Sequence, residues 1–358
     1  MEVERKGSTL RSYEQLLRLH VSPRFGHRNL TDIKREEIKA FLGDLSRQTK
    51  AVGGNTVPRF ARNTLRLIVG ALRSVLSAAV EDGLIENSPA LRLGRFVKTE
   101  RPAHRASAMT RREAEEFLDA VLDVCSEWYP FFLTALRSGL RKGELIALKW
   151  GDIQFGRDES DSNRFILVQR NYSLGQFTTP KNHRTRRVDL SRQLRMVLLQ
   201  LRDKRLLDAF LEGKTSISDE LVFPSHAGTP IKPDNIAVRY MQPALEKAGL
   251  RRFRFHDLRH TFGSLLIQGG ASLTYVKEQM GHSSIQITVD TYGHLIPGAD
   301  IKWIDRLDEE TSPQQSANRT QTEDAGLEGE DLEVVEKIWL PPRDSNPDML
   351  IQSQLSCR

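Results

Sequence analysis

The stretch HDLRHTFGSLL, beginning at His256, crowds two histidines and an arginine into one turn ahead of an apolar run. His256 and Arg259 are three residues apart, a spacing that puts both side chains on one face of a helix. A cation and an imidazole aimed at one place suit an anion. They suit equally a partly buried pair that satisfies each other or a carboxylate such as Asp257. In ALRSGLRKGELIALKW, Arg141 follows a Gly-Leu turn and Glu144 stands one helical turn onward. That pair reads either as a surface ion pair at a helix start or as an arginine projecting toward an anion and steadied by the carboxylate. TPKNHRTRRVDL is a basic turn entering a strand, with Lys181 foremost; such turns are solvated or touch phosphates without selectivity. KEQMGHSSIQITVDTYGHL holds His282 after Gly281 and Tyr292 ten residues later, where a phenol can either pack or react.

The elements that must position these residues are mostly helical. EQLLRLHVSPRF, KREEIKAFLGDLSRQ and RFARNTLRLIVGALRSVLSAAVEDGLI place apolar residues at spacings of three and four, with Thr31 and Asp32 as a cap. They predict a small helical domain that closes at ENSPALRLG, where Asn87 and Pro89 break the pattern. The basic, aperiodic stretch RFVKTERPAHRASAMT reads as a linker. After it, Thr110 and Glu113 form a capping box for TRREAEEFLDAVLDV, and WYPFFLTALRSGL is apolar enough to be buried. RFILVQR and RTRRVDL read as a short strand pair or small sheet. Helices return in SRQLRMVLLQLRDKRLLDAFL, PDNIAVRYMQPALEKAG, HTFGSLLIQGG and SLTYVKEQM.

The chain of 358 residues is long enough for two or three domains with real cores. Its net charge of +6 conceals an asymmetry: residues 308–358 hold 12 acidic and 4 basic side chains, whereas residues 1–307 carry +14. A body that basic suits a polyanionic partner, or is simply a basic surface. The polar, acidic tail reads as disordered. Cys125 and Cys357 are the only cysteines and no Cys/His cluster has metal spacing, so a reduced, cytoplasmic protein without structural zinc is expected. No apolar stretch reads as a membrane span of roughly 20 residues, and MEVERKGSTLR lacks the apolar core of a signal peptide.

The four segments GLRKGEL, PKNHRTRRVDL, HDLRH and GHSSIQITVDTYGHL, in this order, resemble the tyrosine recombinases, the phage-type integrases. STLRSYEQLLRLHVSPRFGHRNLTDIKREEIKAFL and LIVGALRSVLSAAVEDGLIENSPA are similar to that family's core-binding domain. The resemblance implies a mainly α chain. A small helical core-binding (SAM-like) domain would occupy residues 1–98 and a linker 99–109. An α+β catalytic domain with a small antiparallel sheet would follow over 110–306, and an acidic tail over 307–358. Because the likeness starts partway into the core-binding domain, a first helix and any arm-type DNA-binding domain would be missing. Met280 stands where the family usually has leucine.

The resemblance also implies roles. Arg141 and Arg259 would bind the scissile phosphate, Lys181 would protonate the leaving 5′-oxygen, and His256 would help remove the tyrosyl proton. His282 would hydrogen-bond a nonbridging oxygen and Tyr292 would be the nucleophile. Glu144 would support the site and His260 would pack and hydrogen-bond. The chemistry is coherent: two guanidiniums fork onto oxygens that gain charge in the transition state, and a phosphotyrosyl link conserves bond energy. No metal, cofactor or ATP is then required. The implied partners are double-stranded DNA attachment sites, a homotetramer on DNA formed from free monomers, and accessory DNA-bending or directionality proteins. The implied place is the cytoplasm, at the nucleoid, with no membrane. Trp303 and Ile304 would be apolar anchors on a neighbouring subunit or packing within the chain.

Such integrases often insert into tRNA genes. WLPPRDSNPD, from Trp339, can be back-translated to the reverse complement of a tRNA gene's 3′ end, so the tail can be read as attachment-site DNA in frame or as a chance sequence. Two rival readings share the residues: a type IB topoisomerase that relaxes one duplex, and a DNA-binding regulator that has kept the fold and lost the chemistry.

Overall fold

The computed structural model describes residues 7–93, 107–180, 184–295 and 304. The chain divides into two units, Met1–Gly298 and Ala299–Arg358. The described part of the second is Ile304 alone, a helical residue 63% exposed. Lys181, Trp303 and the tail from 305, including the stretch at Trp339, lie outside the described residues.

The N-terminal part builds its own core. Helix α1 (Gly7–Leu16) runs through a π turn, Leu17–Val21, into α2 (Ser22–Phe25); α3 (Arg35–Arg47) and α4 (Arg62–Glu81) follow. Ile38, Phe41, Leu42 and Leu45 on α3 face Leu65, Ile68, Leu72 and Leu76 on α4, the three-and-four spacing read from the sequence. Two details differ from expectation. Thr31 and Asp32 lie in a separate 3₁₀ turn, Leu30–Asp32. The cap of α3 is at Lys34, whose backbone N–H donates to Glu37 Oε2 at 2.9 Å. And α4 is long and apolar enough to cross a bilayer, although no such stretch was expected; its apolar stripe packs into this core instead.

A β-hairpin also interrupts the helices. β1 (Thr49–Val52) pairs antiparallel with β2 (Asn55–Pro58), Thr49 opposite Pro58 and Val52 opposite Asn55. The sequence reading placed only helices here.

The second core holds the segments of interest. Met109, at the end of the stretch read as a linker, is buried, and its N–H donates to Thr261 Oγ1 at 2.9 Å. Helix α5 (Arg111–Cys125) starts with the anticipated capping box: Glu113 N–H donates to Thr110 Oγ1 at 3.1 Å and Thr110 N–H to Glu113 Oε2 at 2.7 Å. α6 (Tyr129–Ser138) is the buried spine. Phe131 meets Phe132, Trp128 and Phe223 edge to face, and it touches Phe255 at the start of α11 (Phe255–Gln268).

After the short α7 (Lys142–Ile146), β3 (Ile153–Gln154), β4 (Phe165–Val168) and β7 (Arg186–Asp189) form an antiparallel sheet in the order β3-β4-β7. Val168 pairs with Arg186. β5 (Asn171–Ser173) and β6 (Gln176–Thr178) make a separate hairpin ahead of residue 181. α8 (Arg192–Leu211), α9 (Pro233–Ile236) and α10 (Gln242–Lys247) complete the shell. α12 (Leu273–Met280) and α13 (Ile285–Tyr292) close on α11 through Phe262, Ile267, Val276, Met280 and Tyr292.

Candidate active site

Four chain segments meet around the end of α12. Arg141 sits at the N-cap of α7, directly after the turn that ends α6. Its backbone N–H donates to Glu144 Oε2 at 2.9 Å, and its guanidinium donates to Glu144 Oε1 at 2.9 Å and to the carbonyl of Gly281 at 3.3 Å. The arginine is thus both steadied by the carboxylate and tied to the turn that carries His282.

Glu144 is enclosed, its side chain 1% exposed, and it accepts a second, two-pronged contact from Arg186 at 2.9 and 2.7 Å. Burial alone would raise its pKa. The Arg186 hydrogen bonds and charge, with Arg141 behind them, overcome that and hold it at about 2. Arg186 also donates from Nε to the Gln279 carbonyl at 3.2 Å. Sequence reasoning passed over Arg186 as a strand residue. The signal was period two: Arg186 shares the inward side of β7 with buried Val188.

Arg259 is buried, and its two terminal nitrogens donate to the carbonyls of Gly139 and Met280, one from the α6 turn and one from the end of α12. No ion pair to it occurs among the described residues. Burial, then the charges of Arg141 and Arg186, lower its pKa to about 9, so it remains cationic at neutral pH. Asp257 does not neutralise it. That carboxylate caps α11, accepting the Arg254 N–H at 2.7 Å and pairing with the Arg254 guanidinium at 3.0 Å.

The imidazoles occupy three different positions. His256 is exposed on the first turn of α11, edge-on to His260 with centroids 4.9 Å apart. Desolvation of its ring, then Arg259 and Arg141, lower its pKa. His260 lies one turn deeper, and its Nδ1 is 2.9 Å from the Tyr292 hydroxyl. In this state the phenol's hydrogen-bond partner is His260, whereas His256, expected to help remove the tyrosyl proton, stands one helical turn away beside His260. His282 bonds Thr288 Oγ1 through Nδ1 at 2.9 Å, its ring parallel to that of Tyr292 at 6.4 Å. Burial lowers both His260 and His282 to about 4; a neighbouring imidazole, His256, adds to this for His260, and Arg259 for His282.

Tyr292 ends α13 and is fully buried. Burial raises its phenol pKa against the pull of Arg259. Its ring lies against Gly263, where an added Cβ would fall 2.9 Å from Cζ and 2.7 Å from Met280 Sδ. Gly281 takes a left-handed φ of 62° to turn α12 toward His282, and a Cβ there would meet Arg186 Cδ at 2.7 Å.

Beside this cluster opens a cleft of about 770 Å³ whose wall includes Arg141, Arg184, Arg186, Arg187, Lys277 and His282. Pro180 and Arg184, which flank the segment containing Lys181, also line it. Among the described residues no group of three or more His, Cys, Asp and Glu side chains is placed to hold a metal ion. The cleft can seat an anion against Arg141 and its basic neighbours; Arg259 and the fully buried Tyr292 are not among the residues that line it.

The model of the phage integrase family matches residues 107–297, more than half of the sequence and every described residue of the cluster. The chain belongs to the phage integrase family. The SAM-like N-terminal domain of phage integrases matches residues 1–46. Among curated proteins this integrase-family chain is similar to the ICEBs1 integrase of Bacillus subtilis strain 168, at 25% identity over 86% of this chain and 79% of that one. It is likewise similar to a XerC-like tyrosine recombinase of Caldanaerobacter subterraneus subsp. tengcongensis, at 26% identity over 86% and 80%. Its fold is that of the Tn1549 transposon integrase in complex with transposon right end DNA, with a TM-score of 0.64, 17% identity, and coverage of 86% of this chain and 95% of that one. The XerH site-specific recombinase bound to palindromic difH substrate shares the fold at a TM-score of 0.60, with 20% identity over 85% and 79%. Mainly helical with small antiparallel sheets, the integrase-family chain has the architecture expected of it.

Proposed function

We propose that the protein is a site-specific DNA recombinase that breaks and rejoins DNA through a 3′-phosphotyrosyl link on Tyr292. The observation that carries this reading is the enclosure of one phenol by His260, His282 and the charge of Arg259, beside an arginine-lined cleft. The family and its similar relatives, named as integrases and recombinases, support it and do not favour a topoisomerase or a silent regulator.

A phosphodiester seated between Arg141 and Arg259 has its nonbridging oxygens held by guanidiniums fixed before it arrives. His282 adds a hydrogen bond, and His256, exposed on the Arg259 face of α11, faces the phosphate. The Tyr292 oxygen attacks phosphorus, its proton passing to a neutral imidazole of α11, His256 or His260. The bond to the 5′-oxygen breaks, and that oxygen takes a proton from Lys181. Attack by a 5′-hydroxyl of a second strand reverses each step and frees the phenol. The link conserves the phosphodiester's bond energy, so the cycle needs no ATP. Because Tyr292 is fully buried, α13 must release it before attack.

The substrate is double-stranded DNA at attachment sites, in a cytoplasmic, nucleoid-associated setting. Exchange between two duplexes requires four phenols, hence a homotetramer on DNA assembled from monomers, with accessory DNA-bending or directionality proteins setting its course. Exposed Ile285 and Ile287 on α13 support a neighbour's docking there.

Two plasmids, each carrying DNA that flanks the protein's coding sequence or its host target, test the reading. Recombinant plasmids with the intact chain and none with Tyr292→Phe are expected. Relaxation of a supercoiled plasmid lacking those sites, without recombination, would overturn it.

A further inference from the structure

The β1–β2 hairpin contributes no residue to the buried core of its own domain. Seven of its eight strand residues are exposed, Val57 is half-buried, and none belongs to the helical core. An isolated two-stranded hairpin is marginal in water. Gly53 and Gly54, both at positive φ, make the two-residue turn, and a Cβ at either would meet nothing within 4 Å, so the tip stands in open solvent. The ladder continues at its base, where Arg59 N–H donates to the Gln48 carbonyl at 2.7 Å. Val52 at the tip is 53% exposed.

The sequence that carries the hairpin is basic, although Arg47 just before it pairs with Asp44 at 2.7 Å. Between Asp44 and Glu81 the sequence contains Arg47, Lys50, Arg59, Arg62, Arg66 and Arg73 and no carboxylate. Lys50 and Arg59 are exposed, one on a strand and one at the hairpin's base, where the Arg59 guanidinium lies 5.4 Å over Phe60. A strand of another protein copy is a poor occupant, because Pro58 lacks an N–H and Lys50 charges an edge, both of which blunt strand addition. A duplex groove is a good one: it admits a two-stranded ribbon and is bordered by phosphates.

We propose that the β1–β2 hairpin is a DNA-binding wing, with Lys50 and Arg59 on backbone phosphates and the Val52–Thr56 tip against a groove. This rests on the recombinase reading and adds a contact surface to it.

The test is binding of the full chain to a random-sequence 40-bp duplex across a salt series, with Lys50→Ala/Arg59→Ala compared with the unchanged protein. Each phosphate contact contributes roughly 0.9 to the slope of log affinity against log salt, so the double variant should lower the slope by about 2. Its thermal melt should be unchanged, and protection of the duplex from hydroxyl radicals should shrink. Lys50→Glu, on an exposed strand position, serves if the Arg59 substitution disturbs folding, and should lower the slope by about 1. Equal slopes and equal protection would overturn the wing while leaving the recombinase reading intact. Failure of the unchanged chain to bind any duplex would overturn both.

Discussion

The hydroxyl of Tyr292 lies 2.9 Å from Nδ1 of His260, which joins the last residue of α13 to the second turn of α11. Burial pushes the phenol's pKa up and that of His260 down to about 4, so both partners are neutral at pH 7 and the bond does not ionise the phenol. The described state is one at rest. A phosphate bound in the cleft should raise the pKa of His282, the one histidine among the described residues that lines it.

The socket that holds Tyr292 depends on Gly263. Gly263→Ala places a methyl against the ring and the Met280 sulfur, at a cost on the order of 1–3 kcal/mol if nothing moves. The expected outcome is partial expulsion of the phenol, read as faster nitration of Tyr292 by tetranitromethane than in the unchanged protein.

Arg259 reaches two carbonyls from different segments, a fork that an ammonium cannot reproduce. Arg259→Lys should slow strand cleavage by about 10²–10³-fold, the scale of losing one preorganised oxyanion donor. Gel-shift affinity for the same duplex should stay nearly unchanged. Equal losses in both measurements would count against its place on the scissile phosphate.

Removing Arg186 leaves the enclosed Glu144 carboxylate with Arg141 alone. Arg186→Ala should destabilise the fold by about 3–5 kcal/mol in urea titration, the scale of breaking a buried pair. The pH dependence has a definite sign. Glu144 is held near 2 in the folded protein against an ordinary 4.5, so its stabilisation is full above 4.5 and lost as pH falls toward 2. Without Arg186 burial dominates, and the acid limb of stability should move to higher pH.

The histidines act over a different window. His260 and His282 sit near 4 when folded against an ordinary 6.5, so the unfolded chain takes up protons first. Stability should be greatest above pH 6.5 and decline between 6.5 and 4. Urea midpoints measured across that range should fall less steeply for His282→Ala, whose imidazole no longer titrates. Vanadate binding at pH 5 should draw protons into the protein, seen by calorimetry in buffers of different ionisation heat.

Much of this was legible in the sequence. Helical periodicity located α3, α4, α5 and α11, and the Thr110 and Glu113 pair fixed the start of α5. The order of four polar segments pointed to Arg141, Glu144, His260, His282 and Tyr292, which the fold brings close to one another, and to Lys181, which lies outside the described residues. What was missed has physical causes. The β1–β2 hairpin is exposed on both faces, so a pattern that reports burial could not show it; only its Gly-Gly turn signalled it. Arg186 was visible through its two-residue offset from Val188, but its partner Glu144 lies 42 residues away. That the phenol meets His260 depends on how α13 packs against α11, which no local pattern encodes.

The most direct test is mass spectrometry of the protein trapped on a nicked duplex taken from DNA flanking its coding sequence, so that the released fragment diffuses away and resealing fails. A 3′-phosphodeoxyribonucleotide adduct on Tyr292, absent in Tyr292→Phe, is the predicted result. An adduct on any other residue, or one that persists in Tyr292→Phe, would contradict the account.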